Sequence, residues 1–445
     1  MSQIKIEIKV DETTTYTILE EDNLIQGLSI IRKMDSDITA LNSDIECGEV
    51  NVQLSNLFNE FNPILSTAPY SQIKNGQEVK IYSITELGTY TLFTGYIVDF
   101  VAPTSTNTQS CNFRVVDRLH SLLNADISTN TEIQIETNIN LFDFISILFS
   151  SYDVLPDEVE IDEDLKQIIL DYSILNGKTL AEQLNEICKA VDAYIYVNRV
   201  GRIIIKTKDI TGVAVKTFTR EDNDNYLKTT EYGYSLFSSY NKLKVGYVST
   251  KKSDTKNILN IDNQVLQAGL NEINNFDLGV SNLYELDSVK LTSSSDSIVE
   301  EVAATSSTIS IKIYNPSQDE DIVSIEVYGK TIESASAFIV KSVETEEIEH
   351  SLEVSSVLVQ NKAYADGLAE KLYNRVLEPI PYIKADVEIQ DFAVDLSYII
   401  RILDTESDLD YTGYIHSIDI EYDGQGYAYY KLGIKALYKE SEENE

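Results

Sequence analysis

Apolar and polar residues alternate with a period of two over long stretches of this chain, the signature of half-buried β-strands. Residues 3–10 (QIKIEIKV) place Ile4, Ile6 and Ile8 on one face, and Tyr16 to Leu19 is predicted to fold back on them as a hairpin partner. Residues 47–57 (CGEVNVQLSNL) alternate again, with Val50, Val52 and Leu54 together. The polar, proline-bearing stretch 61–76 (FNPILSTAPYSQIKNG) reads as a long loop closing on an Asn75-Gly76 turn. Three more alternating runs follow: EVKIYSI, TYTLFTGYIVDFVAP and CNFRVVDRL. Together these predict an antiparallel barrel-like or sandwich domain over residues 1–125.

The pattern then changes. LFDFISILFSSY (141–152) fits a helix with one apolar stripe. In TLAEQLNEICKAV, Leu180, Leu184, Ile187, Cys188 and Val191 recur at helical spacing, and Thr179 with Glu182 forms a capping box. AYIYVNRVGRIIIK then reads as a hairpin turning between Asn198 and Gly201. Residues 126–214 are therefore expected to be a small α/β domain, helix then hairpin. Strand patterning resumes over 215–255 and again over 380–440, predicted to form one discontinuous tube-like β domain. Between them lie an acidic, Ser/Thr-rich β insert (256–357) and a helix (358–379) stopped by Pro379 and Pro381. The fold class expected is mainly β with α+β insertions. The tail SEENE is expected to be frayed.

Composition narrows the function. Among 445 residues, 73 Asp and Glu oppose 35 Lys and Arg, a net charge of −38. Such a surface cannot neutralise phosphates, so specific nucleic-acid binding is not expected. An acidic wall could still line a channel through which DNA slides, and solubility alone accounts for the charge equally well. No apolar run is long enough to span a bilayer, so no stable membrane insertion is expected. The N-terminus lacks a basic region followed by an apolar one, which points to cytoplasmic synthesis. Tyrosine, at 28 residues with no tryptophan, suits strands and wet interfaces.

No catalytic, cofactor or metal site is expected. Cys47, Cys111 and Cys188 are far apart, odd in number, and match no metal spacing. His120, His350 and His416 are isolated, with no H-E-x-x-H motif. The clusters Asp162-Glu163-Asp164 and Asp404 to Asp410 offer oxygen ligands but fit no calcium loop, and read as solvated turns. There is no phosphate-binding G-x-x-x-x-G-K-[ST].

The most informative feature is a repeat. Thr94-Gly95-Tyr96-Ile97 recurs as Thr412-Gly413-Tyr414-Ile415, each preceded by a strand, a short polar turn and a second strand, and followed by another alternating strand. The chain thus carries two similar β domains. Three such chains would make a pseudo-six-fold ring that fits a hexameric tube on one side and presents three-fold symmetry on the other.

Other residues carry a resemblance. Pro69-Tyr70, then Gly76-Gln77-Glu78-Val79-Lys80-Ile81, Phe93-Thr94-Gly95-Tyr96-Ile97 and Asp117-Arg118-Leu119 resemble, in order, the first domain of phage tail-tip and baseplate-hub proteins. Leu184 to Ile187 with Tyr196 to Ile203 resembles that family's helix and hairpin, and Asp395-Leu396 before YIIRI resembles a D-L-G-D turn. In that turn Ser397 stands where glycine is expected and Tyr398 where the second aspartate is. The resemblance implies a homotrimeric hub with two tube-like barrels per chain. The tail tube protein would lie above it, and a spike, needle or tip fibre protein below. The tape-measure protein and other baseplate proteins would be further partners. It implies a particle component and no enzyme. A receptor-binding adhesin and a cell-wall hydrolase are the rival readings, each placed on the insert. The compact length points toward a contractile tail or tailocin.

Overall fold

The computed structural model describes residues 3–437 except 21–23, 37–43, 102–109, 125–136, 174–178, 223, 235–239, 281, 343–349, 378–380, 390–391, 393 and 425–427. Pro379 and the SEENE tail lie outside the described residues.

The N-terminal strands are β1 (Gln3–Lys9), β2 (Thr15–Leu19), β3 (Ile25–Lys33), β4 (Glu49–Ser55), β5 (Glu78–Thr85), β6 (Gly88–Val101) and β7 (Ser110–Val116). They pair in the order β2-β1-β5-β6-β7-β4-β3, all antiparallel. Ile4, Ile6 and Ile8 are fully buried, as the alternation requires.

An α/β unit follows: α1 (Arg118–Leu123), β8 (Thr137–Asn140), α2 (Leu141–Ser150), β9 (Val159–Ile161), β10 (Ile169–Tyr172), α3 (Leu180–Val191), β11 (Ala193–Val197) and β12 (Ile203–Thr207). The capping box of α3 forms as expected, Thr179 Oγ1 accepting from the Glu182 N–H at 3.1 Å and Glu182 from the Thr179 N–H at 2.7 Å. The hairpin β11–β12 is buried on both faces, which is why AYIYV and III run apolar without alternation. Tyr194, Tyr196 and Ile204 enter the barrel core, while Ile195, Val197, Ile203 and Ile205 enter a second core with α2 and α3.

Strands β13 (Lys216–Thr219) and β14 (Asn225–Tyr234) come next, then β15 (Lys242–Lys252), β16 (Lys256–Leu266), β17 (Gly269–Asp277), β18 (Leu283–Thr292), β19 (Ile298–Ala304), β20 (Thr308–Asn315), β21 (Asp321–Ser342) and β22 (Ser351–Ser355). The chain ends with α4 (Lys362–Leu377), β23 (Pro381–Ile389), β24 (Ile399–Asp404), β25 (Leu409–Tyr422) and β26 (Ala428–Ala436). The six strands β25-β24-β13-β14-β23-β26 close into a barrel through the β25–β26 pairing, and β3 pairs with β25 so that both β sets share one sheet.

Three expectations change. The first β domain is a half-barrel, because β3, which would have to reach β2 to close it, is taken by β25. The strand β15, expected in the second barrel, pairs instead with β21 and β22, and its Leu243 and Val245 join the core of the α/β unit. The expected insert is also split, since the long β21 runs through two layers. Its first half packs with β16 and β18 against the sheet β17-β20-β19 around Ile309, Ile311, Ile313, Val323, Ile325 and Val327. Its second half pairs with β15, beside α4.

Candidate functional site: a repeated strand motif and the polar junction over it

The repeated tetrapeptide occupies the same place in two equivalent ladders. In β6, Tyr96 faces Val116 and Ile97 faces Val115; in β25, Tyr414 faces Lys435 and Ile415 faces Ile434. Both ladders then slip by one residue, between Ile97 and Asp99 and between Ile415 and Ser417. Each slip is a bulge, which bends the strand and raises its twist. The two glycines have one cause. A Cβ on Gly95 would collide with the carbonyl oxygen of Val116, and one on Gly413 with that of Lys435.

The turn entering each ladder also matches. Ile97 accepts from the Gly76 N–H at 2.7 Å and donates to the Gln77 carbonyl at 3.0 Å. Ile415 accepts from the Ser397 N–H at 2.8 Å and donates to the Tyr398 carbonyl at 2.9 Å. Gly76 has φ +87° and Ser397 has φ +66°, so the serine keeps the left-handed conformation that favours glycine. Its hydroxyl accepts from Tyr196 at 2.9 Å, a contact glycine could not make.

Over the second copy the hairpin β11–β12 encloses a polar cluster. The Tyr194 and Tyr414 hydroxyls meet at 2.9 Å, and Lys435 Nζ donates to Tyr194 at 3.3 Å. His416, in the bulge, places Nε2 2.6 Å from Asp35 Oδ1, and Lys435 Nζ lies 4.0 Å from Asp35 Oδ2. All five side chains are buried. Burial opposes ionisation of Asp35, yet the Lys435 ammonium and the His416 ring hold its carboxyl well below its ordinary value. Burial, then the Lys435 charge, depress His416 to about 4 against the pull of Asp35, so the ring is neutral with Nε2–H donating.

Two further clusters bind the hairpin to its surroundings. Arg32 forms a buried ion pair with Asp395, whose second oxygen accepts from the Arg199 N–H at 3.0 Å. Arg375 of α4 pairs with Asp192 and Asp209, and Lys208 lies 3.8 Å from Asp192. Asp192 is wholly buried, and these cations outweigh the burial to keep its carboxyl low. The resemblance residue Asp117 caps α1, accepting from the Leu119 N–H at 2.9 Å and also from the Gly48 N–H. Burial nonetheless pushes it up to about 7.

The arrangement locks elements together. Among the described residues, no three His, Cys, Asp or Glu side chains are placed to hold a metal. The three cysteines are unpaired, and burial pushes each thiol up to about 12. His120 stands in the last turn of α1, and His350 is exposed just before β22. In the acidic clusters, Asp162 accepts from Thr207 at 2.9 Å, Arg220 holds Asp404 in a fork at 2.9 and 3.1 Å, and Arg401 holds Asp410 at 2.7 and 2.6 Å. His416, isolated in sequence, finds its partner Asp35 across 381 positions. The sequence signal was a histidine and a lysine set on the inward-facing rows of otherwise apolar strands.

Neither a family model nor a curated protein matches the sequence. Solved structures do. The 43 kDa tail protein of prophage MuSo2 from Shewanella oneidensis is similar with a TM-score of 0.55 at 12% identity, covering 98% of this chain and 99% of that one. A tail protein from Neisseria meningitidis MC58 gives a TM-score of 0.54 at 9% identity, covering 98% and 96%. At such identities the likeness is one of fold, and this chain has the fold of those two tail proteins along nearly its whole length.

Proposed function

We propose that this chain is a structural hub of a phage tail or phage-tail-like particle. Three copies form a ring around a central channel, with a hexameric tail tube above and a trimeric spike, needle or tip below. The observation that carries the reading is the matched register of β5-β6-β7 and β24-β25-β26, down to the bulge and the crowded glycine. Two equivalent strand sets in one chain give six equivalent sets in a trimer, the number a hexameric tube needs. The fold shared with two tail proteins supports it, and so does the net charge of −38, which suits a bore that must not hold DNA.

The test is the mass of the purified chain by light scattering, with class averages by electron microscopy. Three times the 50.1 kDa chain mass, in rings with a central hole, supports the hub. A monomer at high concentration that also fails to co-purify with tail tube protein overturns it.

One observation favours a second reading for the insert. Leu270, Tyr314 and Ile298 form one cross-strand row on β17, β20 and β19, and all three are exposed. Such a row suits contact with another tail protein or a host surface. Retention of the chain on host cell walls, lost in Leu270→Glu, would move the assignment to an adhesin.

A further inference from the structure

We infer that copies of this chain join by strand addition: the free edge of β14 in one subunit pairs with the last residues of β6 in the next, in the register that β3 and β25 use within a chain. The inference rests on the hub reading and supplies the residues that would close its ring.

The internal correspondence extends beyond the repeated motif. β4 pairs with β7 as β23 pairs with β26, and β3 pairs with β4 as β14 pairs with β23. The last two pairs share an irregularity: β3 slips between Ile25 and Gly27, and β14 slips at the equivalent place, between Leu227 and Thr229. β3 and β14 are therefore counterparts, as are β25 and β6.

These counterparts differ in what they touch. β25 pairs with β24 through Tyr414, and beyond its bulge the same edge takes β3, from Ser417 opposite Lys33 to Tyr422 opposite Leu28. β6 pairs with β5 through Tyr96, and beyond its bulge that edge, Val98 to Val101, has no strand partner among the described residues. β3 is paired on both edges. β14 carries β23 on one edge, while its other edge meets β13 only at Tyr226. From Thr229 to Tyr234 that edge is open among the described residues. Each chain thus holds one filled seam, β3 with β25, and the two unfilled halves of a second.

The halves are of different kinds, so they join head to tail, and a rotation that closes after three copies leaves none open. The register carries over. Ile418 opposite Arg32 becomes Phe100 opposite Tyr234, and Asp419 opposite Ile31 becomes Val101 opposite Gly233. The side chains fit this register: Val101, 57% exposed, falls opposite Gly233, which has no side chain to crowd it, and Tyr234, 55% exposed, falls opposite the half-buried Phe100. Neither Val98–Val101 nor Thr229–Tyr234 holds a lysine or proline, the residues that keep a solitary edge from pairing.

The test is cross-linking of full-length chains carrying Phe100→Cys or Tyr234→Cys, read on non-reducing gels after mild oxidation. Directly opposed strand residues lie within reach of a disulfide. A mixture of the two single variants gives a covalent dimer that neither gives alone, and the double variant gives a covalent trimer. A non-covalent trimer by light scattering with no such cross-link overturns this seam and leaves the hub reading standing. Absence of any trimer overturns both. As a second measurement, Val101→Lys abolishes the trimer without shifting the melting temperature of the monomer, because that side chain is solvent-exposed in the single chain; an intact trimer in this variant counts against the seam.

Discussion

Tyr96 and Tyr414 hold the same position of the same tetrapeptide, yet Tyr96 is 36% exposed and Tyr414 5%. The copies differ in cover. Over the second, the hairpin β11–β12 sets Tyr194 against Tyr414 and encloses Lys435, His416 and Asp35. Over the first, the equivalent positions are Val116 for Lys435 and the bulge residue Val98 for His416, and the hairpin meets the motif at its turn instead, where Thr94 Oγ1 donates to the Arg199 carbonyl at 3.2 Å. One strand motif therefore serves both as a buried anchor and as an open surface, according to what the chain lays on it. The anchored copy is closed into a barrel, whereas in the open copy β6 beyond its bulge has no second strand partner among the described residues.

Asp35→Ala, in the anchored copy, should have the largest effect. It removes the carboxylate facing buried Lys435 and His416, and stranding a buried charge costs about 3–5 kcal/mol. The midpoint of urea unfolding should fall accordingly. Asp99→Ala, at an exposed position of the open copy, should leave that midpoint unchanged.

Acid should act on the anchored copy next. His416 titrates at about 4 when folded and near 6.5 when unfolded. Between those values the unfolded state binds the proton, so stability is present above pH 6.5 and is lost as the pH falls toward 4, by about 3 kcal/mol. The low carboxyl of Asp35 adds loss in the same sense below its unfolded value. Asp117, raised to about 7, acts oppositely: its contribution is present in acid and lost as the pH rises through 7. The measurement is therefore the difference in the pH slope of unfolding free energy between the wild type and His416→Gln. Equal slopes would mean that the buried ring does not titrate on unfolding.

The glycines test what the copies share. Gly95→Ala and Gly413→Ala each force a methyl group against a neighbouring carbonyl, and each should cost about 1–3 kcal/mol. If Gly95→Ala were neutral while Gly413→Ala were not, the open copy would be looser than its register implies.

Much of this was legible in the sequence, for local reasons. Alternation marked Ile4, Ile6 and Ile8 as one buried face, Thr179 and Glu182 announced the start of α3, and four repeated residues announced two equivalent ladders. What failed was non-local. The alternation LKVGYV suits any half-buried strand, so it could not say that β15 belongs with β21. Whether a barrel closes depends on which edge β3 meets, and its partner β25 lies at the other end of the chain. The polar junction was illegible for the same reason, because His416 is explained only by Asp35. The departure at Ser397 proved harmless, since its left-handed backbone is held by hydrogen bonds to Ile415 and Tyr196.

The smallest expected effect isolates cover from everything else. Tyr414→Phe and Tyr96→Phe remove the same atom from the same motif. At Tyr414 that atom meets the Tyr194 hydroxyl at 2.9 Å in a site closed to water, so its loss should cost about 1 kcal/mol. Tyr194 keeps its contact with Lys435, which holds the loss to that size. At Tyr96 the hydroxyl has water to bond before and after folding, so its loss should stay within about 0.5 kcal/mol. Thermal melts of the two variants, taken side by side, measure the gap. Equal losses would mean that Tyr96 is covered in solution by a contact the single chain does not contain, which is the condition the ring would impose on the open copy.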